Sequence, residues 1–247
     1  MAKVQSMTDL DDIAAAPPVT TVAEAVERMQ AILAALPDKD GVARFTDMYL
    51  QVTLGVRDAI AGRTFRDPAY LARLDVVFAN LYFAAFAASV REPAAVPRAW
   101  VPLFDCRTAH GIAPLQYALA GMNAHINRDL PVAVVSTATE LGLTLQSASP
   151  QHDDFIAINP LLAEAELRVK KSFVTGFLGW LDRLFGNLDD RVAMWDVCRA
   201  RDAAWVNAEL LWAVRDDADL SQHFIGTLDR TVGFAGRGLL TPRLWRL

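Results

Sequence analysis

A chain of 247 residues with 53% hydrophobic side chains is long and apolar enough to bury a substantial core. Its net charge of −5, with both signs mixed along the chain, excludes a basic surface for nucleic acid. Two cysteines, Cys106 and Cys198, exclude a disulfide framework and suit reduced core thiols in the cytoplasm; the opening "MAKVQSMTDLDDIAAAPP" lacks the basic-then-apolar layout of a secretory signal.

Residues 1–19 read as a mobile tail that ends at Pro17 and Pro18, with Thr20 and Thr21 as N-cap candidates for the first helix. Residues 20–247 then form one helical domain. Val22, Ala25, Met29, Ile32 and Leu33 recur at helical spacing, as do Val42, Phe45, Met48, Tyr49, Val52, Val56 and Ile60 in the next segment. Asp67 and Pro68 mark another helix start, as cap and first helical residue. The uncharged run "VVFANLYFAAFAASV", residues 76–90, is shorter than a bilayer span and reads as a buried helix, so no membrane span is expected.

The Pro-containing connection "REPAAVPRAWVPLFD" leads to "IAPLQYALAGMNAHINRDL". The β-branched "VAVVSTATELGL" that follows suits either a strand or a helix. Pro160 opens a helix expected to run through Phe185, "DDRVAMWDVCRARDAAWVNAELLWAV" forms another, and "LSQHFIGTLDRTVGFAG" the last. No alternation of strands with helices is present. The fold expected is all-α, a single-domain bundle of about seven or eight helices.

The segment "GMNAHINRDLP" places polar groups on an otherwise uncharged helix, since residues 108–127 contain no Asp, Glu, Lys or Arg. On a regular helix His125 and Asp129 share a face with Pro114, Ala118 and Gly121, whose small side chains leave room for a neighbouring helix or a ligand. Asn123, Asn127 and Gln116 fall on another face. A buried carboxylate needs a partner, so Asp129 must meet Arg128, His125, a metal, water or a helix N-terminus. The pair then has three readings: co-ligands of one metal, an imidazole held by a carboxylate for general base work, or a structural pairing in which Asp129 caps the helix that starts at Leu130.

"GMNAHINRDLP", with "AW" at residues 99–100 and "HDDFIAIN" downstream, resembles an uncharacterised, mainly actinobacterial family of helical proteins, a domain of unknown function. The resemblance spans Phe45 to Leu211 and implies no activity. Locally, "AHINRDLP" is also similar to the His-x-x-x-Asp helix of the zinc-dependent phospholipase C and single-strand nuclease group. That likeness implies zinc ligation by His125 and Asp129. Pro131 is followed by "VAVV" and not by the group's Pro-x-His, and four histidines cannot serve three zincs, so at most a mononuclear or dinuclear site is implied.

Further ligands would come from "QHDDFIAINP", where His152 and Asp154 are the candidates; the plain alternative makes Asp153 and Asp154 favourable acidic residues at a helix start. Asp47 lies near the apolar stripe of its helix and is a further catalytic candidate, while Tyr49 and Thr53, four apart, offer hydroxyls to the same cavity. Arg201 and Trp205 are one turn apart; an Arg there either holds an anion or covers an aromatic surface. Gly-rich phosphate loops and Gly-x-Ser-x-Gly are absent.

The function expected is a small-molecule enzyme with its pocket among helices. In the first version a divalent metal, zinc before others, is held by His125, Asp129, His152 and Asp154 and hydrolyses a phosphoester or related bond. In the second, His125, Asp129, Asp154 and Asp47 supply metal-free acid–base chemistry, of cyclase or isomerase type, on an apolar secondary metabolite. In the third, the polar residues only fix helix register in a non-catalytic binding protein.

Overall fold

The computed structural model describes residues 10–60, 65–160, 162–163 and 197–242. Among them the chain forms nine α-helices and no strand: α1 Val22–Ala35, α2 Gly41–Ile60, α3 Pro68–Arg91, α4 Val101–Cys106, α5 Pro114–Ala124, α6 Leu130–Glu140, α7 Pro150–Ala157, α8 Val197–Ala213 and α9 Ala218–Leu239. The all-α expectation therefore holds. The small excess over seven or eight comes from short helices such as α4, inside what the sequence suggests is a loop. The helix expected from Pro160 to Phe185 lies almost wholly outside the described residues, as does the "DDRVAMWD" stretch.

Local signals start the helices where physical chemistry places them. Thr21 caps α1 in a reciprocal box with Glu24, its hydroxyl accepting from the Glu24 N–H at 3.1 Å. Asp67 caps α3 by accepting from the Tyr70 N–H at 3.0 Å, with Pro68 in the first turn. The ambiguous β-branched run is helix α6, buried along Ala133, Val134, Val135, Thr137 and Ala138. Helix α3, at 24 residues, is by length and composition long enough to cross a bilayer, though in the fold it packs on α1 and α6.

The axis of the fold is α5 continued through a π turn, His125–Asp129, into α6. It runs for about 40 Å at 1.5 Å per residue. Every residue from Leu115 to Ala124 is buried, which is why this stretch carries no formal charge. Helices α2 and α9 pack against α5, and α3 and α8 pack against α6. The π turn has a covalent cause. Pro131 has no N–H and its ring would strike a carbonyl in a regular helix, so the preceding turn widens and the Leu130 N–H reaches back five residues to the His125 carbonyl.

Residues 10–19 differ from the expected mobile tail. Residues 10–15 are helical, Ala14 and Val19 are buried, and Asn80 on α3 clamps the Val19 backbone through both its N–H (2.8 Å) and its carbonyl (2.9 Å). An Asn that satisfies a buried peptide unit at two points fixes the segment against the core. Only residues 1–9 of that span lie outside the described residues.

The room that small residues leave on α5 is filled by protein. At Gly121 any added methyl would overlap the ring of Phe45, a side chain of α2 with no exposed surface. Phe45 also meets Tyr82, Trp100 and His125 edge-on, so its ring has no free direction in which to retreat. The Gly121→Ala variant is therefore expected to lose about 1–3 kcal/mol of stability by overpacking, read as a lower denaturation midpoint. A midpoint equal to wild type would show that α2 and α5 are less closely packed.

Candidate functional site

Beside the axis lies a cavity of about 330 Å³. Its wall is assembled from α1 (Met29), α2 (Tyr49, Val52, Thr53, Arg57), α3 (Leu71, Asp75, Phe78, Ala79), the π turn (His125, Ile126) and α8 (Val197, Arg201). Most of the lining is aliphatic or aromatic, with few polar groups, the usual composition of a small-molecule site. Helix α3 supplies Leu71, Asp75, Phe78 and Ala79 at helical spacing, and α8 supplies Val197 and Arg201 one turn apart.

Asp75 is the carboxylate among the described residues of this wall, which also carries Arg57 and Arg201. It is the only Asp, Glu, Lys or Arg between Arg73 and Arg91, and its open surface belongs to the cavity although protein surrounds it closely. Burial pushes its carboxyl up to about 6, and the positive charge of Arg201 pulls the other way. No hydrogen bond or ion pair to its carboxylate occurs among the described residues. Arg201 is 8% exposed and rigidly held: Nε donates to Asn159 Oδ1 at 2.8 Å, Nη2 donates to the Phe155 carbonyl at 2.8 Å, and the guanidinium carbon lies 3.9 Å above the Phe155 ring. Desolvation brings its guanidinium down to about 10, opposed by Asp75.

The His125–Asp129 pair forms as the sequence suggests, with His125 in the cavity wall and Asp129 behind it. His125 Nδ1 lies 3.1 Å from Asp129 Oδ2, which also accepts from Trp100 Nε1 at 3.0 Å, while Oδ1 accepts from Arg128 Nη1 at 2.8 Å. With the carboxylate accepting, the imidazole carries its proton on Nδ1. Burial holds its pKa below the ordinary value, and Asp129 opposes that shift. The ring stacks on Phe78, centroids 3.5 Å apart, with Tyr49 at 4.7 Å. His125 Nε2 is sealed and has no hydrogen-bond partner among the described residues. Arg128 continues the network to Asp229 on α9 at 3.1 Å. Asp129 does not cap α6 through its side chain, so that reading is removed. Nearby, Asn127 donates to Asn123 Oδ1 at 3.1 Å and Asn123 donates to the Val232 carbonyl at 3.0 Å, which ties the axis to α9.

The remaining candidates do not join this site. Asp154 is buried with both oxygens occupied, accepting the backbone N–H groups of Arg66 (3.0 Å) and Asp67 (2.6 Å). It anchors the entry to α3 from α7, whose own cap is Ser149. His152 is half-buried against Trp205, and Asp153 pairs with Arg66 at the surface. Asp47 is half-buried and does not line the cavity, whereas Tyr49 and Thr53 do. Among the described residues no three His, Cys, Asp or Glu side chains converge as a metal's ligands would, and the set His125, Asp129, His152 and Asp154 is not drawn together. Cys106 and Cys198 form no disulfide.

Sequence reasoning passed over Asp75 and gave Arg201 too little weight. The available signal was the isolation of one carboxylate within an apolar helix; the fold had to show which face of α3 met the cavity.

Two outcomes follow. Asp75 has its folded-state pKa above the ordinary 3.8, so the folded protein prefers the protonated form. Its contribution to stability is complete at acid pH and is lost as pH rises through about 6. Asp75→Asn should therefore melt above wild type at pH 8 and match it near pH 4; equal midpoints at pH 8 would contradict a desolvated carboxyl. Asp129→Asn removes the buried carboxylate's charge and leaves half-buried Arg128 with Asp229 alone, and should lose on the order of 3 kcal/mol. Urea denaturation measures it, and a loss within error of zero would remove the network from the fold's foundations.

Comparison with known proteins places these features in a family without assigning them a task. No curated protein and no solved structure matches the chain, and the local likeness to the phospholipase C group is not shown. A family model described as a family of unknown function (DUF5995) matches residues 22–242, a wider span than the Phe45–Leu211 resemblance. That match takes in α1 to α9, the cavity and the Asp129 network, and the chain belongs to this family of unknown function.

Proposed function

We propose that the protein is a small-molecule enzyme that performs metal-free acid–base chemistry on a largely apolar substrate held in the cavity. The observation that carries this reading is the exposed Asp75 carboxyl in a largely apolar chamber, with no donor attached among the described residues. A structural carboxylate is normally hydrogen-bonded or paired, as Asp129 and Asp154 are here. A carboxyl held near 6 exchanges a proton readily around neutral pH, which suits a general acid or base.

In this reading Asp75 touches the substrate, and His125 and Asp129 are positioning residues. Their pairing fixes the imidazole, and the imidazole fixes the Phe78 ring that forms part of the wall. The metal-dependent hydrolase has less support, because the Asp129 oxygens are committed to Trp100, Arg128 and His125.

Incubating the protein with an apolar metabolite extract and following consumption by mass spectrometry tests the reading. Wild type should consume at least one compound, with the rate unchanged by EDTA and reduced at least 100-fold in Asp75→Asn, the low end of general acid–base contributions being about 100-fold. Abolition by EDTA would restore the metal-dependent reading. Binding of Nile red without consumption of any compound would identify a carrier.

A further inference from the structure

We propose that the cavity's substrate is a neutral, largely apolar carbonyl compound, whose oxygen is held by Arg201 while Asp75 removes a proton from the adjacent carbon. This inference rests on the acid–base reading above and adds the substrate class, the reaction class and a catalytic role for Arg201.

Arg201 has one terminal nitrogen left to give. Its Nε and Nη2 are committed to Asn159 and the Phe155 carbonyl, and its flat face covers the Phe155 ring. Nη1 has no acceptor among the described residues, and it is not among the buried polar atoms that are both sealed and unpaired. A buried residue that lines the cavity with an unsatisfied donor presents that donor to a ligand. Only a hydrogen-bond acceptor satisfies it.

Asp75, on the α3 part of the same wall, supplies the opposite need, an acceptor with no donor among the described residues. The two groups influence each other's ionisation but form no direct ion pair. Both line the same cavity, so a small polar group that enters it has a donor and an acceptor to meet. A ligand carboxylate placed there would set a second anion beside Asp75 with no proton between them. A carbonyl oxygen avoids that repulsion and satisfies Nη1. Arg57 also lies on the wall, at the far end of α2 from Gly41, and has an interaction of its own.

A base and a cation on the wall of one largely apolar cavity are the groups that proton abstraction next to a carbonyl requires. The Asp75 carboxylate takes the proton. The C–H electron pair becomes a carbon–carbon double bond, and the carbonyl π electrons move to oxygen. The resulting enolate oxygen is stabilised by Arg201 Nη1–H. Protonated Asp75 then returns the proton to carbon, at the same position or at the far end of a conjugated system. The result is exchange or isomerisation, with no oxidant, reductant or co-reactant.

The test uses the full-length protein and methyl octyl ketone in heavy water. Deuterium uptake next to the carbonyl is read by mass spectrometry, and binding by displacement of Nile red. Wild type should bind the ketone more tightly than decane or decanoate and accelerate uptake over buffer, with a rate that rises with pH and levels off above about 6. Asp75→Asn should bind the ketone and exchange at the background rate. Arg201→Lys should lose about 100-fold or more of the acceleration, the scale of losing one oxyanion donor, with Asn159→Ala as a folded control that loosens Arg201 and gives a smaller loss. Ketone binding without exchange, tighter binding of decanoate, or undiminished exchange in Asp75→Asn would each overturn the inference. If an Asp75-dependent, EDTA-insensitive reaction of extract compounds coexists with failure here, the acid–base reading survives and only the carbonyl assignment falls.

Discussion

The carboxylate of Asp129 is the point on which the arrangement turns. One side chain without exposed surface accepts from an indole, a guanidinium and an imidazole, contributed by the approach to α4 and by the π turn itself. Burial of a carboxylate is tolerable only when such donors surround it. The network runs through Arg128 to Asp229 and so fastens α9 to the axis. It also fixes the rotation of His125, and through its stacking the position of Phe78 at the cavity wall. Pro131, which has no N–H to give, accounts for the wide turn in which residues 125–129 sit.

The molecule thus contains two kinds of carboxylate. Asp129 and Asp154 have their oxygens occupied by fixed donors and serve architecture. Asp75 has none and faces empty space among apolar side chains. The two kinds differ in depth and in satisfaction: Asp129 and Asp154 are closed off and paired, whereas Asp75 keeps open surface and has no donor among the described residues. Arg201 shows the intermediate case: two of its nitrogens are tied down by Asn159 and Phe155, which orient the third. A guanidinium held this way does not need to reorganise when charge appears on a ligand.

Much of the architecture is legible in the sequence because it follows from local rules. Apolar periodicity gives the helices, Thr21 and Asp67 show their caps, and the absence of charge over residues 108–127 marks the axis. The pairing of His125 with Asp129 is likewise legible, since four residues separate them. Its role is not, because the ring of Phe45 occupies the space that Gly121 leaves, and only tertiary packing shows that. The docking of residues 10–19 depends on Asn80, some sixty positions away, which no local pattern reports. Asp154 looks like a residue of its own helix start but serves the start of α3, because chain crossings decide which N–H groups a carboxylate meets. The cavity is the extreme case: its wall draws on α1, α2, α3, the π turn and α8, so Asp75 and Arg201 stay unrelated until the helices assemble.

The central claim is that Asp75 is a desolvated, unpaired carboxyl facing the cavity. Carboxyl-carbon NMR of selectively labelled protein, titrated across acid and neutral pH, observes that group directly. The account predicts a midpoint near 6 for Asp75, displaced by an apolar ligand that fills the cavity. A midpoint near the ordinary 3.8, unmoved by such a ligand, would contradict it.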